Sequence, residues 1–194
     1  MTAGPGPDPE LPRRRYGVGD YRRMAEVGIL KPGERLELID GAILEVPPVG
    51  ARRATLVDRL ARALGSAVGD RATLSARSPV VLAPHSEPEP DVALVGASAE
   101  VAGDGSPAVA YVLLVAEVGD EATLRYVHDV KVPLYARCGV LETWLVDDRA
   151  RTLTRFADPR EGGYATRDLP GLSGPLEPVA FPGVAVGLAG LFED

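Results

Sequence analysis

Cysteine occurs once in these 194 residues, at Cys138, so no disulfide can close within the chain. A lone thiol fits a reducing compartment, and the expected location is the cytoplasm. Histidine occurs twice, at His85 and His128. Neither has a cysteine or a second histidine at metal-ligand spacing, which argues against a zinc centre. Long apolar runs are missing too. None reaches the roughly 18 residues that span a bilayer, so no membrane association is expected. The segment from Met1 to Pro12 carries Gly and Pro but no apolar core, unlike a secretory signal. There is no glycine loop of the kind that cradles nucleotide phosphates, and Ser86 beside His85 lacks the turn that would make a nucleophile of it. Excess positive charge is also lacking, since the net charge is −7. That counts against gripping nucleic acid by phosphate neutralisation over the whole surface, and leaves room for a local basic surface around an acidic site.

What is present suits a globular chain. Hydrophobic residues make up 45% and charged residues 25%, enough for an ordinary core. The length predicts one domain over 16–194, behind a disordered tail over 1–15 that ends in Arg13, Arg14 and Arg15. Asp20 is the expected cap of a short helix over Tyr21–Val27, closed by Gly28. Two apolar runs around Asp40-Gly41 predict a hairpin from Arg35 to Val46, ended by Pro47 and Pro48. Leu56, Leu60 and Leu64 recur every four residues and predict a helix over 51–68. Strands are expected over 72–82, with a break near Pro79, and over 91–95 and 111–118. A Gly/Ser/Ala-rich loop, 96–107, separates the last two. A helix over 129–137, with Pro133 in its first turn, and a strand over 141–146 follow. A hairpin around Glu161-Gly162-Gly163 and a short closing helix over 188–192 complete the chain. Tyr-Val-Leu-Leu-Val-Ala-Glu-Val, 111–118, is apolar on both faces, as in the middle of a covered sheet. The expected class is therefore α/β (α+β): a mixed central sheet flanked by helices, with hairpins at both ends.

Three residues stand out against this frame. Asp91, in Glu89-Pro90-Asp91, puts a carboxylate at the start of a strand. Glu117 ends the row Tyr111, Leu113, Val115, Glu117 on one strand face, and a carboxylate continuing an apolar row needs a partner or a metal. Lys131 interrupts the helical stripe Val127, Val130, Leu134, Tyr135, Cys138, and Glu117 is its expected partner. Two carboxylates with the neighbouring Val118 carbonyl suit a magnesium ion, which would polarise a phosphate oxygen while lysine steadies the developing charge. Each has a plainer reading: a strand-start aspartate for Asp91, a structural ion pair for Glu117 and Lys131.

The stretches Glu117-Val118-Gly119-Asp120, Leu124-Arg125-Tyr126, Val130 to Val140 and Trp144-Leu145-Val146-Asp147 together resemble a bacterial family of restriction-endonuclease-like proteins in the PD-(D/E)XK nuclease superfamily. Glu37-Leu38-Ile39-Asp40-Gly41 and Glu87-Pro88-Glu89-Pro90-Asp91 match it in order, so the likeness runs from about Tyr16 to Phe192. It implies a restriction-endonuclease-like core, a Mg2+- or Mn2+-dependent endonuclease acting on DNA, and a homodimer. It also implies catalytic roles for Asp91, Glu117, Lys131 and Glu37. In that superfamily the lysine usually stands two residues after the second acid, where this chain has Gly119; the resemblance implies that it has moved to Lys131. The chain departs from the family at Val127-His128, where Asp-Arg is usual, at Arg53, where histidine is usual, and by one extra residue between Glu117 and Leu124. A nuclease-fold binding or assembly module with weak or lost activity is the alternative that the missing Asp-Arg pair and the acidic charge favour.

Overall fold

The structure, a computed structural model, describes residues 12–47, 50–96 and 109–193. Most of the expected tail, Pro48 and nearly all of the 96–107 loop lie outside the described residues. The first helix, α1, is Val18–Glu26, with Gly17 at its N-cap. Asp20, expected to cap it, is instead three residues inside and accepts the Gly17 N–H at 3.1 Å. An acid at that position serves the helix start from within, so the sequence signal marks a start three residues later than the real one. The hairpin forms as expected from β1, Leu36–Ile39, and β2, Ala42–Glu45, in register Leu38 to Ile43. Asp40 and Gly41, both with positive φ, make the turn. Arg15 reaches this turn and donates to the Asp40 carbonyl at 2.9 Å.

Helix α2, Ala51–Val68, matches its expected span and buries Leu56, Val57, Leu60, Leu64 and Val68. The following strand is shorter than the sequence suggests: β3 is Ala72–Ala76. Arg77 has φ +49° and Pro79 has no N–H to offer a ladder, so pairing stops there. Strands β4, Val92–Gly96, and β5, Val112–Gly119, follow.

The next helix differs most from expectation. It starts eight residues early, as α3, Glu121–Tyr126, with the Asp120 side chain accepting from Thr123 N–H at 3.1 Å. A π-helical turn, Val127–Lys131, joins it to α4, Val132–Arg137. Its start is set by a polar cap, whereas apolar periodicity only becomes visible at Val127. Strands β6, Glu142–Asp147, β7, Thr152–Arg160, and β8, Gly163–Asp168, then extend the sheet.

The six-stranded sheet runs β3-β4-β5-β6-β7-β8. Only β5 and β6 are parallel, joined through α3 and α4. The early hairpin stays a separate two-stranded sheet, tied in by Leu38 and Glu87. On one face of the large sheet Leu114, Ala116 and Val118 meet α2, and on the other Val115 meets Leu134 and Tyr135 of α4. The expected row along β5 breaks at a bulge. Leu94 pairs with Leu114 but Val95 with Val112, so Leu113 crosses to the α2 side and Val112 joins Val115. The expected closing helix is absent. A small ribbon of β9, Pro175–Leu176, and β10, Val186–Gly187, leads to a turn in which Leu188 and Leu191 are buried toward α2. Five residues with Gly190 among them cannot offset the cost of starting a helix.

Candidate active site

Because β5 alternates, Glu117 falls on the same face as Val115, where α4 packs. Lys131 lies at the end of the π-helical turn, directly over that face, and is 3% exposed. Its ammonium meets Glu117 Oε1 at 2.6 Å. It also donates to Glu37 Oε1 at 3.1 Å, from the far strand of the hairpin. Tyr135, one turn further on, donates its hydroxyl to Glu117 Oε1 at 2.6 Å. The chain Tyr135–Glu117–Lys131–Glu37 is buried throughout and draws together a strand, a helix and a hairpin.

Asp91, just before β4, accepts from the Val118 N–H at 2.8 Å through Oδ2. The same oxygen takes both Arg53 donors, Nη2 at 2.7 Å and Nε at 3.3 Å. Among the described residues, the hydrogen bonds to the Asp91 side chain thus all end on Oδ2. Arg53 occupies the early turn of α2 and stands between Asp91 and a cavity of about 330 Å3. Glu37, Glu89, Glu117, Arg53, Tyr126 and Lys131 help line that cavity.

The electrostatics follow from burial among charges of both signs. Burial pushes the Glu117 carboxyl up to about 7; Lys131 opposes the rise, and Asp91 and Glu37 add to it. Burial pulls the Lys131 ammonium down, but Glu117 and then Glu37 outweigh it, so its pKa is raised and it stays charged at neutral pH. Burial is likewise the main reason that the Tyr135 hydroxyl and the Glu89 carboxyl are raised.

The structure therefore brings Glu37, Glu117 and Lys131 into direct contact and places Asp91 beside Val118. Sequence reasoning missed Arg53 as the partner of Asp91, and it treated Tyr135 as part of an apolar stripe. Tyr135 could have been found from its spacing: four residues beyond Lys131, it shares that side of the helix. No group of three or more His, Cys, Asp or Glu placed to hold a metal occurs among the described residues.

The acids differ in how completely they are satisfied. Glu142 is buried with both oxygens taken, by Trp144 Nε1 at 2.8 Å and Val179 N–H at 2.7 Å. Glu87 is held through both oxygens by Arg22. Glu37 Oε2 is buried with no hydrogen-bond partner among the described residues. Glu142 and Glu87 have both oxygens satisfied; Glu37, which lines the cavity, does not among the described residues.

The comparisons agree with the likeness read from the motifs. The Uma2 family, described as "Putative restriction endonuclease", matches residues 18–189. A crystal structure described as "a putative nuclease belonging to DUF820 from Anabaena variabilis" superposes with a TM-score of 0.68 at 13% identity, covering 91% of this chain and 97% of the other. At that identity it shows the shared fold. Among curated proteins no match is found. With nearly the whole described chain inside the family's span, the chain belongs to the Uma2 family of restriction-endonuclease-like proteins.

Proposed function

We propose that this protein is a divalent-metal-dependent endonuclease that hydrolyses phosphodiester bonds of DNA at the Glu37–Glu117–Lys131 cluster. The observation that carries the reading is the buried Glu37 Oε2, without a hydrogen-bond partner among the described residues, on a residue that lines one cavity with Glu117 and Lys131. Family membership supports the nuclease class. Hydrolysis joins a water oxygen to phosphorus, breaks one bridging P–O bond, and leaves a proton on the departing oxygen. Asp91, Glu117 and the Val118 carbonyl are the oxygens that would hold Mg2+ or Mn2+, a hard set for a hard cation. Such an ion would polarise the phosphate and lower the pKa of a bound water. Arg53 and the Val118 N–H orient Asp91 by holding one of its oxygens. Tyr135 fixes Glu117 from below. Lys131, kept protonated by its two acids, acts as a positive charge beside the scissile phosphate and takes no proton from water. Action on DNA in the cytoplasm, by a homodimer whose paired sites cut two strands, completes the proposal.

A second reading keeps the fold as a binding or assembly module. The grip of Arg53 on Asp91 favours it, because the protein then supplies that acid with its own cation. One experiment separates the two. Purified protein is assayed with Mg2+ and Mn2+ on single- and double-stranded DNA and RNA, beside melting with and without metal. The nuclease reading expects a metal-dependent rise in melting temperature and cleavage of DNA, both lost in Asp91→Ala. An unchanged metal shift in that variant would place the cation elsewhere; no cleavage of any substrate would favour the binding module.

A further inference from the structure

Tyr126 closes α3 and immediately precedes the π-helical turn. Its hydroxyl is buried and has no hydrogen-bond partner among the described residues. The other buried side-chain polar atom in that state, among the same residues, is Glu37 Oε2. Both residues line the one cavity, with Lys131 and Glu117. Buried polar groups are nearly always paired, so two orphans carried by residues that line one cavity stand out as groups a bound molecule could engage. They do not satisfy each other, and a hydroxyl and a carboxylate oxygen differ in what they need: the first can donate, the second only accepts.

The backbone places Tyr126 there on purpose of geometry. In a regular α-helix, residues five apart lie about 140° apart around the axis, so Tyr126 and Lys131 would face different sides. The π-helical turn replaces this spacing with an i to i+5 bond, seen as Val132 N–H to Val127 O. Residues five apart then come to the same side. The irregular turn is thus what lets phenol and ammonium reach one cavity. Burial, and then the charge of Glu37, push the Tyr126 hydroxyl up to about 12, so it keeps its proton at neutral pH and remains a donor.

We propose that Tyr126 is a further catalytic residue, its hydroxyl donating a hydrogen bond to a non-bridging oxygen of the phosphodiester that Lys131 stabilises. This rests on the nuclease reading. The donor gains strength as charge builds on that oxygen.

The test is Tyr126→Phe, which removes one oxygen and keeps the ring. Three quantities are read: stability to denaturant without metal, the Mn2+ melting shift, and steady-state cleavage of a duplex oligonucleotide. The expected result is unchanged or higher stability, an unchanged Mn2+ shift, and kcat lower by about 100-fold with little change in KM. A variant that cleaves at the wild-type rate overturns the inference and leaves the nuclease reading standing. Lower stability in step with lower activity overturns it as well, because the hydroxyl is then structural. If the folded wild type cleaves no nucleic acid with either metal, the nuclease reading and this inference fall together.

Discussion

Lys131 touches both Glu37 and Glu117, so its removal has two consequences that can be measured apart. Lys131→Met keeps the apolar stem but leaves two buried carboxylates facing each other. The expected loss is about 3–5 kcal/mol, read by chemical denaturation. Cleavage should vanish while the Mn2+ melting shift remains, since the candidate metal oxygens are intact. A variant that still cleaves at the wild-type rate would end the catalytic role of Lys131, whatever its stability. Glu117 makes a second residue-scale prediction. Its folded pKa, about 7, lies above the unfolded value of about 4.3. Between these the folded state holds the extra proton, so this group's contribution to stability falls as pH rises from about 4.5 to 7. Lys131, raised in the folded state, is charged in both states over that window and adds no slope there. In metal-free protein, Glu117→Gln should therefore remove a stability loss between pH 5 and 7, seen as a flatter pH profile beside the wild type. An identical slope in the variant would mean that Glu117 is ionised throughout.

At the scale of elements, the junction of β5 with α3 explains where the lysine is. Gly119 stands two residues after Glu117, the usual place for a nuclease lysine. A Cβ built there would lie 2.9 Å from both Cβ and Cγ2 of Thr123 in the first turn of α3. Those are stiff branched atoms of a capped helix, so no side chain fits without moving the helix. On the proposed nuclease reading the charge comes from elsewhere, from Lys131. Gly119→Ala should cost about 1–3 kcal/mol as overpacking, measured by thermal or denaturant unfolding. A neutral result would show that α3 yields easily. Much of this level was legible. The leucine spacing of α2 and the Asp40-Gly41 turn act through near neighbours, and both formed as expected. The start of α3, the π-helical turn and the bulge at Leu113 were not. Each depends on what packs across the sheet, and periodicity within one segment carries no trace of it.

For the whole molecule, the C-terminal turn shows how tertiary packing limits assembly. Leu188 and Leu191 are buried against the α2 side of the core, so they are not free to join two copies. The terminal hairpin β7–β8, an outer edge of the sheet, remains as a candidate contact for the proposed homodimer. Light scattering at working concentration should report twice the 20.4 kDa chain mass. A monomer would remove the dimer and, with it, paired cutting of two strands.

By itself, the sequence determined the helices and strands whose signals are local, and it singled out Asp91 as a strand-start carboxylate and Glu117 and Lys131 as charges in apolar settings. Such a charge is visible in a pattern because its burial costs free energy wherever the segment ends up. Only the tertiary structure decided what each charge meets. Glu37, 94 positions away, shares the Lys131 ammonium; Arg53 holds Asp91; and Tyr126 lines the cavity at the start of the π-helical turn. Those partners are set by how sheet, helix and hairpin close on one another, and distance along the chain does not encode it.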